Sequence, residues 1–125
     1  MILTAELVGL AGRSTPSVAQ ILGASDANNR RDHVCSFMLF HEGRMVQVVE
    51  GMRADIDRLL RRMQADLRMK GLRVLNENPI PTRHLTEAAG FCHHPVETLA
   101  LAGLTDLERL TVGDVESLLE LRQAA

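Results

Sequence analysis

Arg44-Met45-Val46-Gln47-Val48-Val49-Glu50-Gly51 is the stretch on which the fold turns. Its apolar run reads as a strand, and alternation puts Met45, Gln47 and Val49 on one face with Val46 and Val48 on the other. A carboxamide in that company needs a polar partner, because an amide buried without one costs about 1–3 kcal/mol. A ligand could meet it, backbone groups could satisfy it, or the strand could lie at an edge with that face wet. On side-chain chemistry alone the two structural readings are the commoner.

Working outward, Val34 to Phe40 is nearly continuous apolar sequence, and His41-Glu42-Gly43 is a short glycine-containing loop, so the two strands form a hairpin. Upstream, residues 2 to 8 read as a strand, interrupted by Glu6. Thr15-Pro16 then starts a helix with a hydroxyl cap and proline in the first turn; Val18, Ile21, Leu22 and Ser25 recur at helical spacing, and Asn28-Asn29 is expected to close it. Downstream, a helix is expected from Arg53 to Met69, with Ile56, Leu59, Leu60, Met63 and Leu67 on one stripe and Gly71 as its stop. Asp55 and Asp57 suit its first turn, and Arg68 and Lys70 its end. Residues 72 to 77 read as a fourth strand, and His84 to Phe91 as a weaker fifth. This order gives an α+β fold: a ferredoxin-like βαββαββ sheet with two helices on one face, so that Gln47 points either under the helices or to the open face. Residues 1–92 form that domain, and residues 93–125 a C-terminal extension of short helices. Its apolar positions (Leu99, Leu101, Leu104, Leu107, Leu110, Val115, Leu118, Leu119 and Leu121) must pack on the sheet or on a partner subunit.

Composition narrows the function. The chain has 125 residues and a net charge of −2, with a pI near 6.2, so it carries no electrostatic footprint for nucleic acid or an anionic membrane. Cys35 and Cys92 lack metal-repeat spacing, and no apolar run spans a bilayer, which points to a reduced, cytoplasmic protein. There is no Trp and no Tyr, and only three Phe. Aliphatic side chains and methionines must therefore fill the core.

With the elements in that order, Ser25-Asp26-Ala27-Asn28-Asn29, the hairpin, Gln47-Val48-Val49-Glu50-Gly51, Asp66-Leu67-Arg68 and Glu77-Asn78-Pro79-Ile80 together resemble the BLUF family of blue-light sensors that use FAD. The resemblance covers about residues 1 to 92, and its most specific piece is Gln-x-x-Glu-Gly placed eighteen positions after Asn29. It implies a flavin held between the two helices over the sheet. Gln47 and Asn29 would bond the ring, Arg68 would lie near the ribose and phosphate end, Ser25 would be a polar contact, and Ile21, Leu22, Met45 and Leu60 would wall an apolar slot.

This chain departs from the family where its photochemistry begins. The tyrosine of the first strand, which passes an electron and a proton to the excited flavin, is replaced by Ala5. Tryptophan and methionine positions of the fifth strand fall at Ala88 and Gly90; Val34-Cys35-Ser36 stands for Ile-Thr-Gly, Met69 for a histidine and Leu85 for a phenylalanine. The expectation is a FAD-binding sensory domain without the standard photocycle, acting as a homo-oligomer on another regulatory protein. A flavin-free interaction module of the same fold is the alternative.

A small thiol or metal enzyme is the third reading, centred on Cys92-His93-His94 with His84 nearby. Adjacent residues on an extended chain face opposite ways, no second cluster completes a ligand set, and nothing supplies an orienting acid. Neither a metal nor catalysis is expected. Arg58, Arg61 and Arg62 read as a solvated helix face, and Glu42 and Glu50 do not make an acid/base pair.

Overall fold

The computed structural model of the chain describes residues 1–8, 15–41, 43–77, 79, 85–92, 95–101, 103, 111 and 113. Its elements are β1 (Ile2–Leu7), α1 (Thr15–Asp32), β2 (Cys35–His41), β3 (Arg44–Glu50), α2 (Arg53–Ala65), β4 (Met69–Asn76), β5 (Gly90–Phe91) and α3 (Pro95–Leu101). The strands form one mixed sheet in the order β4-β1-β3-β2-β5, antiparallel except where β5 joins β2. β3 is therefore central, which excludes the wet-edge reading of Gln47.

Two apolar layers follow from the alternation of the strands. Leu3, Ala5, Leu7, Val34, Met38, Met45 and Val49 pack with Ile21 of α1 and Leu59 of α2. On the opposite face Ile2, Phe37, Leu39, Val46 and Val48 pack with Leu85 and with Leu99 of α3. The start of the C-terminal extension thus lies on the sheet, while 104, 107, 110, 115, 118, 119 and 121 fall outside the described residues, as do Glu42, Asn78, His84, His93 and His94.

Several boundaries differ from the expectation. α1 continues through Asn28 and Asn29 to Asp32, and the chain leaves it at His33, whose φ is 57°. His33 N–H donates to the Arg30 carbonyl at 3.4 Å and Val34 N–H to the Asn29 carbonyl at 2.9 Å. That pair of bonds caps the last turn with His33 in the left-handed position. Asn29 does not serve as the stop because its side chain is engaged inside the fold.

α2 ends at Ala65, not near Met69. Asp66 is extended, its carboxylate accepts the Arg68 backbone N–H at 2.9 Å, and Met69 N–H bonds the Asp66 carbonyl at 3.1 Å. This side-chain turn competes with the helix and wins, leaving Leu67 92% exposed rather than on the buried stripe. Arg68 consequently lies in a turn and Lys70 in β4, so neither ends α2. Gly71 sits in β4 with φ +60°, where Gly71 and Leu72 stand opposite Ala5 alone between the Thr4–Arg73 and Glu6–Lys70 pairs. It accommodates a bulge and does not stop a helix. The fifth strand is reduced to two residues, because the segment before it is held by other bonds: Leu85 N–H to the Glu50 carboxylate and Ser36 N–H to the Glu87 carbonyl.

Candidate functional site

Gln47 lies in the middle of β3, opposite Leu3 of β1 and Met38 of β2, on the face covered by α1 and α2. The residue is 2% exposed and opens on a small cleft of about 70 Å³. No described residue bonds the Gln47 amide. Of the two sequence-level alternatives to a ligand, the backbone one therefore has no support among the described residues either.

The cleft gathers most of the residues singled out from sequence. Ile21 and Ser25 come from α1, Met45 and Gln47 from β3, Asn29 from the last turns of α1, and Arg68 from the turn before β4. Leu22 and Leu60 do not line it. Leu22 packs against the core cluster on its periphery, and Leu59, 4% exposed, takes the position expected of Leu60. The helical stripe contained both leucines, and only the pose of α2 on the sheet separates two neighbours about 100° apart.

Residues missed from sequence complete the walls: Met38, Met63 and Met69 among the apolar ones, and Ala24, Asn28, Arg62 and Asp66. For Met38 a signal was available, since alternation along β2 puts it on one face with Phe40 and Ser36. Arg62 was part of a run read as solvated. Instead it reaches the C-terminal end of α1, where its guanidinium donates to Asp32 at 2.8 Å.

Asn29 is 1% exposed and donates from its amide nitrogen to Ser36 Oγ at 3.2 Å and to the Ala88 carbonyl at 2.7 Å. Ser36 Oγ also donates to the Ala88 carbonyl, at 2.8 Å. Both donor hydrogens of the amide are thereby used, and its carbonyl oxygen is what remains to accept a bond. Arg68 is paired with Asp66, at 3.0 Å from Nε and 2.8 Å from Nη2. Those hydrogen bonds hold the Asp66 carboxyl below its usual range despite partial burial, and hold the Arg68 guanidinium firmly protonated. Asp32 is pushed down to about 2 by hydrogen bonds from Arg31 and then Arg62. The cleft thus has an amide-rich floor, thioether and aliphatic walls, and a rim of arginines paired with aspartates.

Cys92 is separate from this site: its Sγ lies 3.4 Å from Thr98 Oγ1 and its backbone N–H bonds the Met38 carbonyl. Among the described residues no group of His, Cys, Asp or Glu could hold a metal ion, and no helix is long and apolar enough to cross a membrane.

Comparison with known proteins adds three findings. The family described as sensors of blue-light using FAD, BLUF, matches residues 9–89. No curated protein matches the chain. Among solved structures, BlrB, a BLUF protein in its dark state, is similar with 27% identity and a TM-score of 0.76, over 98% of this chain and 89% of that one. The photo-activated state of BlsA is similar in fold, with 14% identity and a TM-score of 0.83, over 99% of this chain and 93% of that one. A bacterial light-regulated adenylyl cyclase is similar in fold at 22% identity and a TM-score of 0.67; the match covers 98% of this chain but only 33% of the cyclase.

Proposed function

Since the chain belongs to the BLUF family of sensors of blue-light using FAD, we propose that the cleft between α1 and α2 holds the flavin ring, with Gln47 and Asn29 as its polar contacts. The observation that carries this reading is the Gln47 amide, which opens on the cleft and has no partner among the described residues. A flat ring carrying carbonyls and an imide N–H fits an amide floor. Ser25 would add a hydroxyl, and Ile21 and Met45 the apolar wall. The dinucleotide tail would run outward past Arg68, whose guanidinium suits a phosphate. When bound, the flavin supplies absorption of blue light.

Ala5, 1% exposed, lies opposite Met45 and diagonal to Gln47. An alanine there donates neither an electron nor a proton, so the sensor works without the tyrosine-gated photocycle. Residues 1–92 are read as the sensory domain and 93–125 as an extension that carries the signal to a second copy or to a regulatory protein.

One observation favours the flavin-free module: the Asn29 amide nitrogen already spends both donor hydrogens on Ser36 and Ala88. Absorption spectra of the purified protein, before and after adding FAD and then after blue light, separate the two. The flavin reading expects a structured flavin band, bright fluorescence and no lasting red shift. A protein that stays colourless after reconstitution leaves the module, and a reversible red shift overturns the loss of the photocycle.

A further inference from the structure

The chain has six methionines, and four of them, Met38, Met45, Met63 and Met69, line the cleft. Met38 and Met45 are each 1% exposed. Met38 lies directly across from Gln47, and Met45 across from both Phe40 and Ala5. The two thioethers are therefore diagonal neighbours on one face of the β2–β3 ladder, with their Cβ atoms within about 7–8 Å.

Tyrosine and tryptophan are the side chains that discharge an excited flavin by electron donation, and this chain has neither. A flavin bound in the cleft would supply the blue-light absorption, and with no such donor beside it dissolved dioxygen would receive the energy. The polarizable thioether of methionine is a ready target for the excited dioxygen so formed. Here the sensitiser site and the target are the same cleft.

Resting on the flavin reading above, we propose that this cleft is a blue-light-driven modification site in which Met38 and Met45 are oxidised to sulfoxides by dioxygen. One dioxygen serves two thioethers. Its O–O bond breaks, each sulfur gains one oxygen atom and gives up two electrons, dioxygen accepts four, and no proton is taken up or released overall. The flavin returns unchanged. A sulfoxide at Met38 puts a strong acceptor opposite the Gln47 amide, and one at Met45 puts a polar group into the layer formed with Leu3, Ala5 and Val49. The record persists after the light is gone, because only enzymatic reduction reverses it.

Met52 supplies the internal control, being 71% exposed and outside the cleft. The FAD-reconstituted full chain is illuminated with blue light in air, under argon and in heavy water, and peptide mass spectrometry reads oxygen addition at each methionine. Expected is oxidation of Met38 and Met45 roughly tenfold ahead of Met52, the reverse of the order that exposure dictates in ordinary oxidation. It should stop in the dark and under argon, and speed up several-fold in heavy water, where excited dioxygen lives longer. Oxidation led by Met52, persisting under argon, or absent from Met38 and Met45 in a protein with an intact flavin band overturns this inference and leaves the flavin reading in place. A colourless protein removes both.

Discussion

Gln47 and Asn29 are amides of nearly equal burial, and they stand in opposite conditions. Asn29 spends both donor hydrogens on Ser36 and Ala88, whereas Gln47 has no bond among the described residues. Gln47→Leu removes an unpartnered amide and keeps the volume. The apo protein should melt at the same temperature or slightly higher, while FAD affinity falls about fivefold, or ~1 kcal/mol. Loss of apo stability in a thermal melt would instead assign Gln47 to the fold. Asp32 carries a pH dependence. Its carboxyl titrates near 2 in the folded chain against an ordinary 3.8, so its contribution is full above pH 3.8 and is lost as pH falls through 2. Urea unfolding of the wild type and of Asp32→Asn should differ by a constant amount above pH 4, and the difference should shrink below it. A gap that stays constant down to pH 2 would show that the ion pairs with Arg31 and Arg62 do not act through that carboxylate.

At the scale of elements, helix ends were where sequence and structure parted. Asn28-Asn29 has the chemistry of a stop, and Gly71 has the conformation of one. Neither acts so, because Asn29 is held by Ser36 and Ala88 across the fold, and β4 begins two residues before Gly71. The residue that does close α1 is His33, at φ 57°, a conformation in which a side chain is strained and glycine is not. His33→Gly should therefore raise unfolding stability by about 1 kcal/mol, measured in urea. A loss of stability would mean that the imidazole makes a contact outweighing the relieved strain. The apolar stripes themselves were legible: Ile21 and Leu59 face the sheet as their spacing required, and strand alternation placed Met45, Gln47 and Val49 together.

For the whole molecule, the sheet has two covered faces, and the second depends on a seven-residue helix. Leu99, 3% exposed, seats α3 against Phe37, Leu39, Val46 and Val48. Leu99→Ala should cost roughly 2 kcal/mol and expose that apolar face, so the protein should associate more strongly in sedimentation. An unchanged melt and an unchanged oligomeric state would place the signalling surface elsewhere than under α3.

Strand and helix order and the central hairpin were determined by sequence, because periodicity and turn residues are local and each acts within a few positions; the family was legible from the resemblance of motifs such as Gln47-Val48-Val49-Glu50-Gly51. Only the tertiary structure decided that Gln47 points under the helices and not to the other face, which amide was left without a partner, that Leu59 rather than Leu60 faces the cleft, and that four methionines converge on one cleft. Those outcomes depend on how α1 and α2 lie across the strands. That pose is set by packing between residues distant in the chain, which spacing along the chain does not encode.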